Sequence, residues 1–200
     1  MLQWCLEGMV IPEYMSLLQG YSSQLELAAN LGPILDLACG TGHNGLQLIE
    51  NNIPVIFADI SAEALLQVER RLEEDPYRKN KSLATLWPVD FEQPGVNPLD
   101  GRVFGAIVAC HYLHRPLFES IKQAVYPGGL VIYETFTVDQ TQYGRPNNPD
   151  FLLRHGELRD YFCDWTILHY FEGVVEKSRG DGSKAVAQLV AEKPAGATLR

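Results

Sequence analysis

The chain has 200 residues, 46% of them hydrophobic, and a formal net charge of -9. That length and apolar content suit one compact domain with a sizeable core, and the acidic balance argues against a protein that grips a phosphate backbone over a wide surface. The four cysteines, Cys5, Cys39, Cys110 and Cys163, form no C-x-x-C pair, which speaks against a zinc or disulfide framework and for free thiols in a reducing compartment.

The opening stretch "MLQWCLEGMVIPEYM" carries Glu7 and Glu13 and no basic start, so it makes a poor signal peptide. No apolar run reaches the length of a membrane span. The expectation is a cytoplasmic protein without a membrane partner. The first thirty residues supply a helix over a sheet, with Pro12 and Gly20 blurring its limits.

From Gly32 to Thr135 short apolar runs alternate with amphipathic stretches, the pattern of a βαβ series. "PILDLA" is the first strand and "PVIFAD" the second. Between them Leu46, Ile49 and Ile53 recur at helical spacing. Ser61 then makes a natural N-cap, Leu65, Val68 and Leu72 form one apolar face, and "EEDPYRKNKS" ends that helix in a charged turn. "SLATLWPVD" reads as a third strand. "VFGAIVAC" is a fourth, apolar throughout as a central parallel strand requires, and "PGG" punctuates the chain before a fifth, "LVIYETF". Further on, "NNPDFLLRHGELRDYF" reads as a loop leading into a helix. "WTILHYFEG" and "KAVAQLVAEKP" read as two strands joined by the polar stretch "KSRGDGS", a hairpin at the sheet edge.

The turn after the first strand, "ILDLACGTGHNG", holds G-x-G-x-x-G in Gly40, Gly42 and Gly45. A strand, a glycine turn and a helix present free backbone N–H groups to a ligand, and Asp59 at the end of the second strand can accept hydrogen bonds from ribose hydroxyls. NAD enzymes and other adenosine-cofactor enzymes share both features. Asp36 separates them. A carboxylate inside the first strand repels a pyrophosphate, whereas the sulfonium and ammonium of S-adenosylmethionine favour it. Asp90 in "PVDFEQP" suits an adenine amino group, with Phe91 beside it to pack on the ring. A Tyr-x-x-x-Lys, Tyr77 to Lys81, falls in a charged helix end and lends little to a hydride-transfer reading.

Together "LDLACGTG", "ADIS", "PVDFEQP" and "PGGLVIYETF" resemble the class I S-adenosylmethionine-dependent methyltransferases, over about residues 30 to 195. The resemblance implies a doubly wound, Rossmann-like α/β fold: seven strands, mostly parallel with the last antiparallel, and helices on both faces. It also implies a cofactor site of Asp36, Gly40, Gly42, Asp59, Ile60, Asp90, Phe91 and Cys110. The glycine loop would hold the methionyl part, Asp59 the ribose and Asp90 the adenine. A single domain of residues 1–200 follows, with a helical segment at 1–30, a cofactor core at 31–135, and a substrate loop plus hairpin at 136–200. More loosely, "NPDFLLRHGELRDYF" and the strand after it resemble the tellurite-resistance methyltransferases. That group places a His-Arg pair between its last two strands, where this chain has Lys177 and Arg179.

Ligands of open α/β sheets sit at the carboxyl ends of strands. This makes His111 and Tyr112 in "CHYLHRP", and Tyr143 and Arg145 in the polar loop after the fifth strand, the candidate catalytic and acceptor residues. His114 and Arg115 read as surface or capping groups, and His155 and Arg159 flank a helix start. Cys39 reads as packing. No metal-ligand spacing appears, so no metal is expected. The chain adds no recognition domain to the fold, which favours a small-molecule acceptor such as a thiol or chalcogen oxyanion over RNA or protein. A non-catalytic cofactor-binding protein is the remaining alternative.

Overall fold

In the computed structural model, which describes residues 17–176 and 182–196, seven strands form one sheet in the order β3-β2-β1-β4-β5-β7-β6. These are β1 (Ile34–Leu37), β2 (Val55–Asp59), β3 (Ala84–Pro88), β4 (Phe104–Cys110), β5 (Val125–Phe136), β6 (Thr166–Glu176) and β7 (Ser183–Glu192). β1 to β5 pair in parallel, and β7 runs antiparallel between β5 and β6. The doubly wound α/β sheet inferred from the sequence is present, and each of its strands forms where the apolar runs lie.

Period-two alternation divides the core. Leu35, Leu37, Ile107, Ala109, Val131 and Tyr133 face one way. There they meet α5 (Phe118–Ala124) and α6 (Glu157–Tyr161) through Phe118, Ile121, Leu158 and Phe162. Ile34, Ala106, Val108, Leu130 and Ile132 face the other way. There they meet α2 (Ser22–Ala29) through Leu25, α3 (His43–Glu50) through Leu46 and Ile49, and α4 (Ala62–Leu72) through Leu65, Val68 and Leu72, with the short α1 (Leu17–Gly20) beside them. Ser61 caps α4, its Oγ accepting from Ala64 N–H at 3.2 Å. The charged stretch after α4 coils into a tight 3-10 turn at Arg78–Leu83.

Three readings shift. Ile53 stays buried but lies beyond the end of α3. The "PGG" stretch does not precede β5 but sits inside it as a bulge. The register jumps from Phe104–Val125 to Ala106–Leu130, and a Cβ on Gly129 would come within 2.4 Å of the Gly105 carbonyl. Third, the expected N-terminal helix is seen only as α1 and α2, since residues 1–16 lie outside the described residues, as do Lys177 and Arg179. Among the described residues no helix is long and apolar enough to cross a membrane.

Candidate active site

The carboxyl ends of β1, β2, β4 and β5 meet at one rim of the sheet. Asp36 shares its face of β1 with Ile34 and is buried to 1% exposure. Its Oδ2 accepts the Gly45 N–H at 2.9 Å, and among the described residues it has no ion-pair partner. Burial pushes its carboxyl up to about 7, the Gly45 N–H opposes the rise, and the charge of Asp59 adds to it.

The three glycines of the loop have different reasons to be glycine. A Cβ on Gly45 would lie 2.3 Å from the Phe57 ring and 2.8 Å from Asp36 Oδ2, so this glycine lets α3 close onto the sheet. Gly42, with φ +74°, would meet Val68 at 2.7 Å. Gly40 has φ +52° and nothing within 4 Å of its missing Cβ, so its outer side faces open space. Asp59 fixes the loop from the next strand: Oδ2 accepts from Gly40 N–H at 2.7 Å and Oδ1 from Ser61 N–H at 2.8 Å. Beside it, Ile60 is 69% exposed. Asp90 accepts the Glu92 N–H at 2.8 Å, and Phe91 packs edge-on against Trp87 in the core. Cys110 ends β4 on the same face as Asp36. Burial raises its thiol pKa, and the charges of Glu134 and Asp36 add to the rise.

Open space over Gly40, a buried acid in β1 and an exposed apolar Ile60 suit an adenosine cofactor with a cationic tail. The buried carboxyl of Asp36 lacks a cation, and the space over Gly40 admits a ligand against the backbone. On these observations the residues present fit S-adenosylmethionine.

Next to this rim is a cleft of about 360 Å³ lined by Glu92, His111, Tyr112, Leu113, Phe136, Pro146 and Phe151. His111 takes φ +55°, its ring stacks on Phe136 at 4.9 Å, and its backbone N–H bonds to the Glu134 carbonyl. Its Nε2 lies 3.3 Å from Glu134 Oε1 and 3.2 Å from Lys184 Nζ. Cys110, Glu134 and Gln188 stand in one row across β4, β5 and β7. Gln188 donates to Glu134 Oε2 at 2.7 Å, and Lys184 pairs with Oε1. Burial alone would raise the Glu134 carboxyl, but His111, Lys184 and Gln188 bring it down to about 2.

Tyr112 joins the two halves. Its ring lines the cleft, yet the carboxylates whose charge acts on its hydroxyl are Glu92, Asp90 and Asp59. Burial first, then the charge and hydrogen bonding of Glu92 and the charges of Asp90 and Asp59, raise its pKa. Among the described residues its hydroxyl is the one buried side-chain polar atom without a partner at full hydrogen-bond geometry, a debt that a ligand would settle.

The structure thus brings His111 and Tyr112 to the cleft but leaves Tyr143 and Arg145 exposed outside its walls, where Pro146 and Phe151 stand instead. Arg115, read from sequence as a surface or capping group, proves to be an anchor. It donates to both carboxylate oxygens of the buried Glu157 and to the Asp150 and Leu152 carbonyls, tying the Phe151 wall down. His155 sits on the surface against Glu172 and Asp139, which raise its pKa, Glu172 first. Sequence reading missed Glu92, Glu134 and Lys184. An acid inside the apolar run "LVIYETF" was the available signal, since such a residue stays in a buried strand only with a partner.

Residues 34–129 match the family described as a methyltransferase domain. No curated protein matches the chain. Among solved structures, TehB from Haemophilus influenzae superposes with TM-score 0.64 at 22% identity over 86% of this chain, which spans 62% of the length of TehB. The glycopeptide N-methyltransferase MtfA, complexed with S-adenosyl-L-homocysteine, gives TM-score 0.58 at 18% identity and 86% coverage of both chains. An S-adenosylmethionine-dependent methyltransferase from Clostridium acetobutylicum gives 0.59 at 13% identity, covering 88% of this chain and 90% of its own. The matched domain coincides with the cofactor core expected from the sequence, and the structural likenesses bear out the doubly wound fold.

Proposed function

Taking the chain as a class I methyltransferase that uses S-adenosylmethionine, we propose that it methylates a small-molecule acceptor held in the cleft of Glu92, His111, Tyr112 and Phe136. One observation carries this reading: His111, Tyr112 and Leu113 of the cleft directly follow Cys110 at the carboxyl end of β4, the strand paired with β1, and the charges of Asp90 and Asp59 act on the Tyr112 hydroxyl. When bound, the cofactor supplies an electrophilic methyl group on sulfur. The chain supplies position and charge. Asp36 holds the cationic tail, Asp59 and Asp90 hold ribose and adenine, and Ile60 flanks the base, while Phe91, expected from sequence to stack on it, packs in the core against Trp87. Cys110 packs beside the methionyl chain. Apolar walls exclude water, so approach geometry does much of the work. His111 is the group placed to take a proton from an acceptor that carries one, and Tyr112 orients it.

Tyr143 and Arg145 are then loop residues that frame the entrance rather than touch the acceptor. A cytoplasmic setting belongs to this proposal and rests on the free thiols of Cys39, Cys110 and Cys163.

Isothermal titration calorimetry with S-adenosylmethionine, S-adenosylhomocysteine and NAD tests the cofactor half of the reading. The first two bind wild type with Kd of about 10 μM or tighter and lose about 100-fold or more in Asp59→Ala, which deprives Gly40 and Ser61 of their acceptor. Binding of NAD alone would return the loop to the dinucleotide class.

A further inference from the structure

We infer that the acceptor is an amine-bearing small molecule, held as its ammonium by Glu92 and the Tyr112 oxygen and relieved of a proton at His111. This rests on the methyl transfer proposed above and names the substrate class for that same cleft.

The argument is one of charge and hydrogen-bond capacity. An ammonium donates and never accepts, and the polar groups of the cleft can all accept: the Glu92 carboxylate, the Tyr112 oxygen and an imidazole nitrogen. Glu92 forms no ion pair among the described residues. The Tyr112 hydroxyl is buried beside Glu92, which acts on it through both charge and hydrogen bonding while Asp90 and Asp59 add charge, and it has no partner at full hydrogen-bond geometry.

The nearby cations are already used. Lys184 is bound to Glu134, with its Nζ also against His111, and Arg115 is bound to Glu157 and two carbonyls. Among the residues that line the cleft there is an acid and no lysine or arginine, and Arg145 at the entrance is exposed to solvent, so an oxyanion inside would face carboxylate charge whereas an ammonium would face a field of the opposite sign. Leu113, Phe136, Pro146 and Phe151 supply an apolar bed for the body of the molecule, which points to an arylalkyl frame.

In the tautomer whose Nε2–H points to Glu134 Oε1, 3.3 Å away, Nδ1 is the unprotonated ring nitrogen left for the acceptor. One proton passes from the ammonium to Nδ1. The freed lone pair on nitrogen forms the N–C bond as the C–S bond breaks and its electron pair stays on sulfur. The product leaves as the protonated N-methylamine, and His111 returns its proton to solvent.

The test uses the full chain saturated with S-adenosylhomocysteine, titrated calorimetrically with phenethylamine, tryptamine and histamine, and with hydrocinnamate and selenite as anionic probes. Turnover of each probe with S-adenosylmethionine is followed by mass spectrometry. At least one amine binds and gains 14 mass units while hydrocinnamate and selenite do neither, as expected for replacement of one N–H by N–CH3, about 14 Da. Glu92→Gln weakens amine binding about tenfold or more while the affinity for S-adenosylhomocysteine stays the same. A cofactor-competent protein that takes selenite or hydrocinnamate, or none of the amines, overturns the amine inference alone. So does amine binding unchanged by Glu92→Gln. Failure to bind S-adenosylhomocysteine overturns the methyltransferase reading with it.

Discussion

Asp36 is a buried and Glu134 a half-buried carboxylate near the ends of parallel strands, on the same face of one sheet, and they titrate in opposite directions. Asp36 has a single backbone N–H and a neighbouring acid, so burial drives it up to about 7. Glu134 has Lys184, Gln188 and His111 around it, and these overcome its burial and hold it near 2. One region is electrostatically complete as it folds. The other carries an unbalanced charge that a cationic ligand would neutralise, the kind of local cost that binding sites retain.

The largest effect comes from breaking the complete region. Lys184→Met leaves Glu134 buried without its cation and costs about 3 kcal/mol in urea denaturation at pH 7. In wild type the Glu134 contribution is fully present above its ordinary pKa of 4.5 and is lost as pH falls toward 2. Lys184→Met flattens that acid arm.

Asp36→Asn does the reverse. The folded carboxyl binds its proton more tightly than the unfolded one, so the apo-protein loses stability as pH rises from about 3.8 to about 7. Asparagine keeps an acceptor for the Gly45 N–H and removes that loss, adding about 2 kcal/mol at pH 8. S-adenosylmethionine affinity, measured in the same buffer, falls about tenfold or more. Loss of stability in Asp36→Asn would erase the contrast between the two carboxylates.

Gly40→Ala separates conformation from ligand contact. Its backbone at φ +52° penalises a side chain by about 1 kcal/mol in thermal denaturation, and the methyl group projects into the space kept for the cofactor, so binding is lost while the fold survives. The smallest effects belong to Tyr143→Phe and Arg145→Ala. Both side chains are exposed and off the cleft wall, so stability moves by less than about 0.5 kcal/mol, and acceptor KM measured with each variant changes about twofold at most. A tenfold rise for Arg145→Ala would bring that loop into the acceptor site.

The candidate cofactor region could be proposed from sequence because its determinants are local. Strand, glycine turn and helix follow each other within "ILDLACGTGHNGLQLIE", Asp59 and Cys110 each end a strand that its own apolar run announces, and Asp90 follows two residues after β3. The acceptor region depends on pairs that only the folded chain brings together. Glu134 meets Lys184 through the antiparallel β5–β7 pairing, and Arg115 meets Glu157 across the loop that carries Phe151. In sequence, Tyr143 and Arg145 had the chemistry that an acceptor loop needs. Pro146 and Phe151 reach the cleft because Arg115 pins the backbone between them and α6. The bulge in β5 was equally hidden, since "PGG" signals a turn unless a neighbouring backbone, here Gly105, is known to press against it.

The most direct test of the account is a crystal structure with S-adenosylhomocysteine bound. The account predicts ribose hydroxyls on Asp59, the adenine amino group on Asp90, the ligand's ammonium toward Asp36, and its sulfur at the mouth of the cleft beside Cys110 and Tyr112. A ligand whose sulfur faces away from Tyr112, His111 and Glu92 would contradict it, because no methyl group could then reach an acceptor held there.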